Sequence, residues 1–231
     1  VIVPVPEKER TWKLVIQALP RLAVFAIPFL CAGRVDWPRG WLFTALSVLT
    51  IVVTLALIRW KNPGLLRARL QKSEGTKQFD KVLLVIIGLL GIVGCLAVAG
   101  LDTRFGWSSI ATRWVYLGVL LHAIGTVPIG LAVETNPFLE TTVRIQDDRG
   151  HVAVTSGPYR IVRHPMYAGL LVMTAGWPLV FGSAWSYLPI AVLAAALVVR
   201  TALEDRTLQR ELAGYAEYAR RTRYRLLPGV W

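Results

Sequence analysis

A chain of 231 residues that is 55% hydrophobic, with a mean hydropathy of +0.51 and uncharged runs about 18 to 20 residues long, reads as an integral membrane protein and not as a soluble globule. Its net charge of +12 flanks those runs and is not gathered into a folded basic domain, so the partner it implies is anionic lipid headgroups and not nucleic acid. Cys31 and Cys95 both fall inside predicted spans; they are too few for a thiolate metal cluster, read as packing residues, and leave no metal site to expect.

Residues 1–13, with Pro4, Pro6 and mixed charges, read as a loose interfacial lead-in, and the opening Val1 as a trimmed start. The first predicted span, 14–33, contains Arg21 and ends in a charged loop without a small-residue cleavage site, so it reads as a helix and not as a cleaved signal peptide. The second covers 41–58. Between it and the third, 82–101, residues 59–81 carry seven basic side chains, an Asn62-Pro63-Gly64 turn, and Leu65, Leu66 and Leu70 at near-helical spacing. That pattern predicts a short amphipathic helix lying on the membrane surface. Gly88, Gly91 and Gly94 in the third span predict close helix approach. The fourth span, 114–133, holds His122 and Pro128, and His122 reads as a buried histidine with a hydrogen-bond partner.

After a polar connection, 134–158, the chain reaches Ser156-Gly-Pro-Tyr159 and Arg163-His164-Pro165-Met166-Tyr167-Ala-Gly169, and then runs without a charge to Arg200-Thr-Ala-Leu-Glu204-Asp205. A single helix over that uncharged stretch would be roughly 50 Å long at about 1.5 Å per residue, well beyond a hydrocarbon core of about 30 Å. Pro178, Gly182-Ser183 and Pro189 interrupt it, which predicts two arms, 166–181 and 184–200, forming a hairpin. The hairpin would bring Arg163, His164 and Tyr167 beside Arg200, Glu204 and Asp205. A tail with Leu203, Leu208, Leu212 and Tyr215 at helical spacing predicts an amphipathic helix over 203–222.

The expected fold is thus all-α: a polytopic helical bundle of about six transmembrane helices plus a C-terminal amphipathic helix, in a single membrane domain. Residues 1–133 supply N-terminal transmembrane helices and 134–231 the catalytic region. With both termini cytoplasmic, 21 Lys and Arg lie on the cytoplasmic side against Arg34, Arg39, Arg104 and Arg113 on the other, which orients the clusters to the cytoplasm of a bacterial inner membrane.

On residue chemistry alone, a proline at the first helical position behind Arg163-His164 opens a helix N-terminus suited to an anion, and Arg200 with Glu204 offers a cation and an anion one turn apart. Tyr159 and Tyr167 add aromatic faces. Two readings stay open: interfacial anchors flanking a hairpin, or a cytoplasm-facing site for a zwitterionic or anionic ligand.

The segment Gln146 to Pro228 resembles the isoprenylcysteine carboxyl methyltransferase family and its relatives among membrane phospholipid methyltransferases. The resemblance lies in Gln146, His151 to Tyr159, Arg163 to Gly169, Arg200 to Glu204, and Gly214-Tyr-Ala-Glu-Tyr218 with Pro228. It implies S-adenosyl-L-methionine as cofactor, and a lipophilic or prenylated acceptor arriving from the bilayer. Gln146, His151, Val152, Ala153, Val154, Tyr159, His164, Pro165, Met166, Tyr167 and Glu204 would bind the cofactor. Arg200 would face the acceptor and, with Glu204, act in catalysis. A phospholipid amine or a small thiol is an alternative acceptor, and an NADPH-dependent sterol reductase is an alternative enzyme.

Overall fold

The computed structural model describes residues 23–70 and 75–231. Every regular element among them is helical. A 3₁₀ turn Val24–Ala26 leads into α1 (Ile27–Ala32), followed by α2 (Pro38–Lys61), α3 (Pro63–Leu70), α4 (Gln78–Phe105), α5 (Trp114–Thr135), α6 (Pro165–Ala175), α7 (Trp177–Phe181), α8 (Tyr187–Glu211) and α9 (Tyr215–Arg221). Of these, α2, α4, α5 and α8 are long and apolar enough to cross a membrane. Leu49, Val52 and Leu55 on α2, with Leu120, Ile124 and Val127 on α5, present open apolar faces that water would not tolerate and lipid would. The chain is a multi-pass integral membrane protein with an all-α bundle. Of the other two predicted spans, residues 14–22 of the first, with Arg21, lie outside the described residues, and its remainder holds the 3₁₀ turn and α1. The 166–181 arm is the shorter apolar pair α6–α7, which parts at Gly176.

Small residues set a close helix crossing. Gly118 and Gly125 on α5 face Gly176 and Gly169, and a methyl group built on Gly125 would lie 2.4 Å from Met173 N and 2.5 Å from Gly169 O. Only hydrogen fits at that point, so the α5 and α6 backbones meet directly. In α4, residues Ile86–Val93 wind as a π-helix. There Gly91 packs on Leu193 and Gly94 on Pro189, as the spacing predicts, whereas Gly88 has nothing within 4 Å.

Two expectations change. The last membrane helix does not stop at 200: α8 runs to Glu211, because no breaker intervenes until Gly214, whose φ of +77° starts a new helix at Tyr215. The 203–222 tail is therefore the end of α8 plus the short α9. The helix α3 does not rest on lipid through Leu65, which is fully buried against Ile58 and Val133, while Arg69 donates to the Leu139 carbonyl. His122 is buried, as expected, with Nε2 2.9 Å from Thr50 Oγ1.

One end of the bundle gathers the start of α4, the end of α5, the start of α6 and the end of α8. Lys77 reaches Glu211 at 2.7 Å, Asp80 reaches Arg200 at 2.7 Å, and Arg163 reaches Asp205 at 2.8 Å. The opposite end is fastened by Asp102, which accepts from Ser108 and Ser183.

Candidate active site

At the first of these ends a cavity of about 760 Å³, its mouth included, opens under the connection between α5 and α6. Gln146, His151, Val152, Ala153, Val154 and Tyr159 line it from the connection, His164, Pro165, Met166 and Tyr167 from the start of α6, and Glu204 from α8. All eleven residues singled out above for a cofactor thus border one space, although 58 positions separate the first from the last. Arg200 does not line it. Residues absent from that set also border it, notably Phe138, Thr142, Tyr215 and Tyr218.

Two buried ion pairs hold the walls. Asp205, fully buried, accepts from Arg163 Nη2 (3.0 Å), Arg225 Nε (2.9 Å), Gln209 Nε2 (2.8 Å) and the Tyr215 hydroxyl (3.1 Å), and its Oδ1 lies 2.8 Å from Arg163 Nε as an ion pair. Arg163 Nη1 donates to the carbonyls of Ala219 and Thr222, and the backbone N–H groups of Arg163 and His164 donate to Tyr224 and Arg225. The guanidinium of Arg163, expected at an anion site, instead straps the C-terminal tail to the head of α6. A buried cation needs its partners close, and here they are protein groups. His164 Nε2 lies 3.5 Å from Asp205 Oδ1, too far for a good hydrogen bond, and is buried without a closer partner among the described residues.

The second pair joins Arg200 to Asp80, a residue that sequence reasoning missed. Arg200 Nε donates to Asp80 Oδ1 at 2.7 Å, Nη2 donates to the Thr141 carbonyl at 2.8 Å, and the guanidinium lies 5.2 Å from the Tyr167 ring centre. Arg200 and Glu204 share a face but do not pair. Glu204 instead accepts the Tyr167 hydroxyl at 2.6 Å. The Tyr167 ring stacks parallel to His164, with centroids 5.6 Å apart and planes within 4°.

The connection is stiffened from within. Gln146 is 2% exposed; its Nε2 donates to the Phe138 carbonyl at 2.7 Å and its Oε1 accepts from Arg149 at 2.6 Å. Arg144 is held by Glu140 on one side and Asp148 on the other, which raises its pKa further above the ordinary arginine range. His151 Nδ1 accepts the Gln146 N–H at 3.4 Å, leaving Nε2 as the protonated nitrogen. Burial, aided by Arg144 and Arg149, lowers the His151 pKa, so the imidazole is neutral at pH 7. Its ring packs on Phe138. Val152 to Val154 make no backbone hydrogen bonds among the described residues, and the Thr142 hydroxyl is buried and unpartnered there. Burial raises the Tyr159 pKa and keeps that phenol protonated, with its oxygen accepting from Asn136.

Comparison with known proteins adds a family-level link. Residues 114–213 match the model of the phospholipid methyltransferase family. Over 143 residues, 59% of the chain, it is 36% identical to the cobalt-zinc-cadmium resistance protein CzcN of Cupriavidus metallidurans, across 61% of that protein. Over 129 residues, 53% of the chain, it is 27% identical to protein-S-isoprenylcysteine O-methyltransferase B of Arabidopsis thaliana, across 60% of that protein. Over 100 residues, 42% of the chain, it is 35% identical to the delta(14)-sterol reductase TM7SF2 of Mus musculus, across 24% of it. The chain therefore spans about 60% of the length of the first two of these relatives. The link is to membrane methyltransferases of the phospholipid and isoprenylcysteine type, and it runs through the helices and the connection that enclose the cavity.

Proposed function

We propose that this protein is a membrane methyltransferase that uses S-adenosyl-L-methionine to methylate a lipophilic acceptor, most readily an isoprenylcysteine-type α-carboxylate. The observation that carries the reading is the convergence of eleven residues, from Gln146 to Glu204, on one cavity inside the stretch that matches the methyltransferase family.

The donor set fits the cofactor. Glu204 supplies a carboxylate for its ammonium group. The uncommitted backbone of Val152 to Val154 and the unpartnered Thr142 hydroxyl supply hydrogen bonds for a purine edge or a ribose. Phe138, Tyr159, His164 and Tyr167 supply aromatic faces near a cationic centre. Bound there, S-adenosylmethionine supplies an electrophilic methyl group. Tyr167 orients Glu204 through its hydroxyl, and Gln146 holds the connection in shape rather than reaching the ligand.

Arg200 keeps Nη1 free of partners among the described residues, and that donor is the group we assign to the acceptor carboxylate. A carboxylate needs no base, so alignment supplies the catalysis. A phospholipid amine or a small thiol would have to lose a proton, for which Glu204, His164 or Tyr167 is a candidate base.

On this reading residues 134–231 form the catalytic region, 1–133 supply supporting helices, and 14–33 and 166–181 complete about six membrane segments, with the arms 166–181 and 184–200 joined as a hairpin. The excess of basic residues in the segments assigned to the cavity's side of the membrane (1–13, 59–81, 134–165 and 200–231) supports a cytoplasmic site in a bacterial inner membrane, with both termini on that side.

The similarity to a sterol reductase favours a second reading, reduction with NADPH. The cavity's charges speak against it. Its lining arginines, Arg144 and Arg163, are already held by Glu140, Asp148 and Asp205, so no free cation among the described lining residues faces a phosphate. The test is transfer of a labelled methyl group from S-adenosylmethionine to N-acetyl-S-farnesylcysteine by the detergent-purified protein. Base-labile label in the product supports the carboxylate, base-stable label on lipid supports the amine, and oxidation of NADPH with no methyl transfer overturns the proposal.

A further inference from the structure

Asp80 stands at the start of α4, outside residues 114–213, and is fully buried. A buried carboxylate is costly unless its oxygens find donors, and both oxygens of this one accept from the protein. Oδ1 accepts from Arg200 Nε at 2.7 Å, and Oδ2 accepts from the Val143 N–H at 2.8 Å and lies 3.4 Å from Arg200 Nη2. The same short segment is held twice more: Arg200 Nη2 donates to the Thr141 carbonyl, and the Lys77 N–H donates to the Val143 carbonyl at 3.1 Å. Between these fixed points Thr142 and Val143 form part of the cavity wall. The other side of the Arg200 guanidinium faces Tyr167, whose hydroxyl holds Glu204.

The geometry points to Asp80 as a positioning residue for the acceptor end of the site. It fixes the plane of the Arg200 guanidinium so that Nη1 is left without a partner among the described residues, and through Val143 it fixes the stretch of cavity wall formed by Thr142 and Val143. The inference rests on the methyltransferase reading and extends it to a helix that the family match does not reach. Asp80→Asn keeps the shape and an acceptor for Val143 but removes the charge that orients Arg200. Asp80→Glu restores the charge one methylene farther out.

The test uses the full chain in detergent and compares the wild type with Asp80→Asn and Asp80→Glu. S-adenosylhomocysteine affinity is measured by calorimetry, KM and kcat with N-acetyl-S-farnesylcysteine, and amide hydrogen exchange over residues 139–146. The expected result for Asp80→Asn is an acceptor KM raised about tenfold or more, with S-adenosylhomocysteine affinity changed by less than about threefold. Exchange at 141–143 should accelerate, and Asp80→Glu should recover part of the KM. An acceptor KM within about twofold of wild type, or cofactor affinity falling in step with the acceptor, would overturn it. A wild type that binds no S-adenosylhomocysteine, or binds it and leaves this acceptor untouched, refutes the methyltransferase or the carboxylate reading instead. Exchange then decides for Asp80: unchanged rates at 141–143 in the asparagine variant overturn its role in holding the wall.

Discussion

Replacing Asp205 with asparagine removes the one negative charge that holds two arginines at the junction of α6, α8 and the tail. The Asp205 carboxylate is 0% exposed and the Arg163 side chain 6%, so the change strands a buried cation; Arg225, at 28%, retains some water. Breaking a buried pair from one side costs about 3–5 kcal/mol. Asparagine keeps one oxygen for Tyr215 or Gln209, so the neutral bonds, at about 1 kcal/mol each, are partly retained and the pair dominates. For a chain of this size the loss corresponds to a melting temperature lower by roughly 6–20 °C. The same change should loosen the tail, because the hydrogen bonds from Arg163 and His164 to Tyr224 and Arg225 depend on the strap. The assay is thermal unfolding in detergent with hydrogen exchange over 215–231. Glu217→Gln is the control, because the Arg221–Glu217 pair is 77% and 58% exposed and contributes under about 1 kcal/mol. If Asp205→Asn melted within about 2 °C of wild type, with tail exchange unchanged, the strap would not be holding the tail.

Glu204→Ala should weaken S-adenosylhomocysteine binding about tenfold or more, read by calorimetry, while an unchanged affinity would remove Glu204 from the ligand's surroundings. Gly125→Val should destabilise by roughly 1–3 kcal/mol, because its side chain meets the α6 backbone at 2.4 Å, whereas Gly88→Ala, with open space around it, should melt no lower than wild type. The pKa of His151 is lower in the folded state than in the unfolded chain, so the unfolded state binds more protons as pH falls through that interval. Stability from this group is therefore complete above about pH 6.5 and declines on acidification below it, and His151→Gln should flatten that part of the profile of melting temperature against pH.

The apolar runs were legible because a membrane span needs little beyond length and the absence of charge, and Pro178, Gly182 and Pro189 marked where the chain had to turn. The residues around the cavity were legible as a set only through the family resemblance carried by Gln146, His151 to Tyr159, Arg163 to Gly169 and Arg200 to Glu204, since residue chemistry alone reached no further than a site for a zwitterionic or anionic ligand. Their individual partners were not. Arg163 offers the same sequence signal whether it meets a ligand or a carboxylate 42 positions later, and Arg200 is as close to Glu204 in sequence as a helical ion pair requires. A single acidic residue before an apolar run, Asp80, looks like ordinary first-turn charge, and only the packing of α4 on α8 turns it into the partner of Arg200. Nor does local spacing reveal that Gln146 bonds back onto its own loop, since Phe138 and Arg149 lie on either side of it in sequence. The continuous course of α8 to Glu211 could have been read, because no Pro or Gly separates Arg200 from Ala213.

Calorimetric titration of the detergent-purified protein with S-adenosylhomocysteine, beside NADPH and with the Glu204→Ala variant in parallel, tests the central claim most directly. The account predicts saturable binding of S-adenosylhomocysteine that the variant loses, and no binding of NADPH. Binding of NADPH alone, or S-adenosylhomocysteine binding that is indifferent to Glu204, would contradict it.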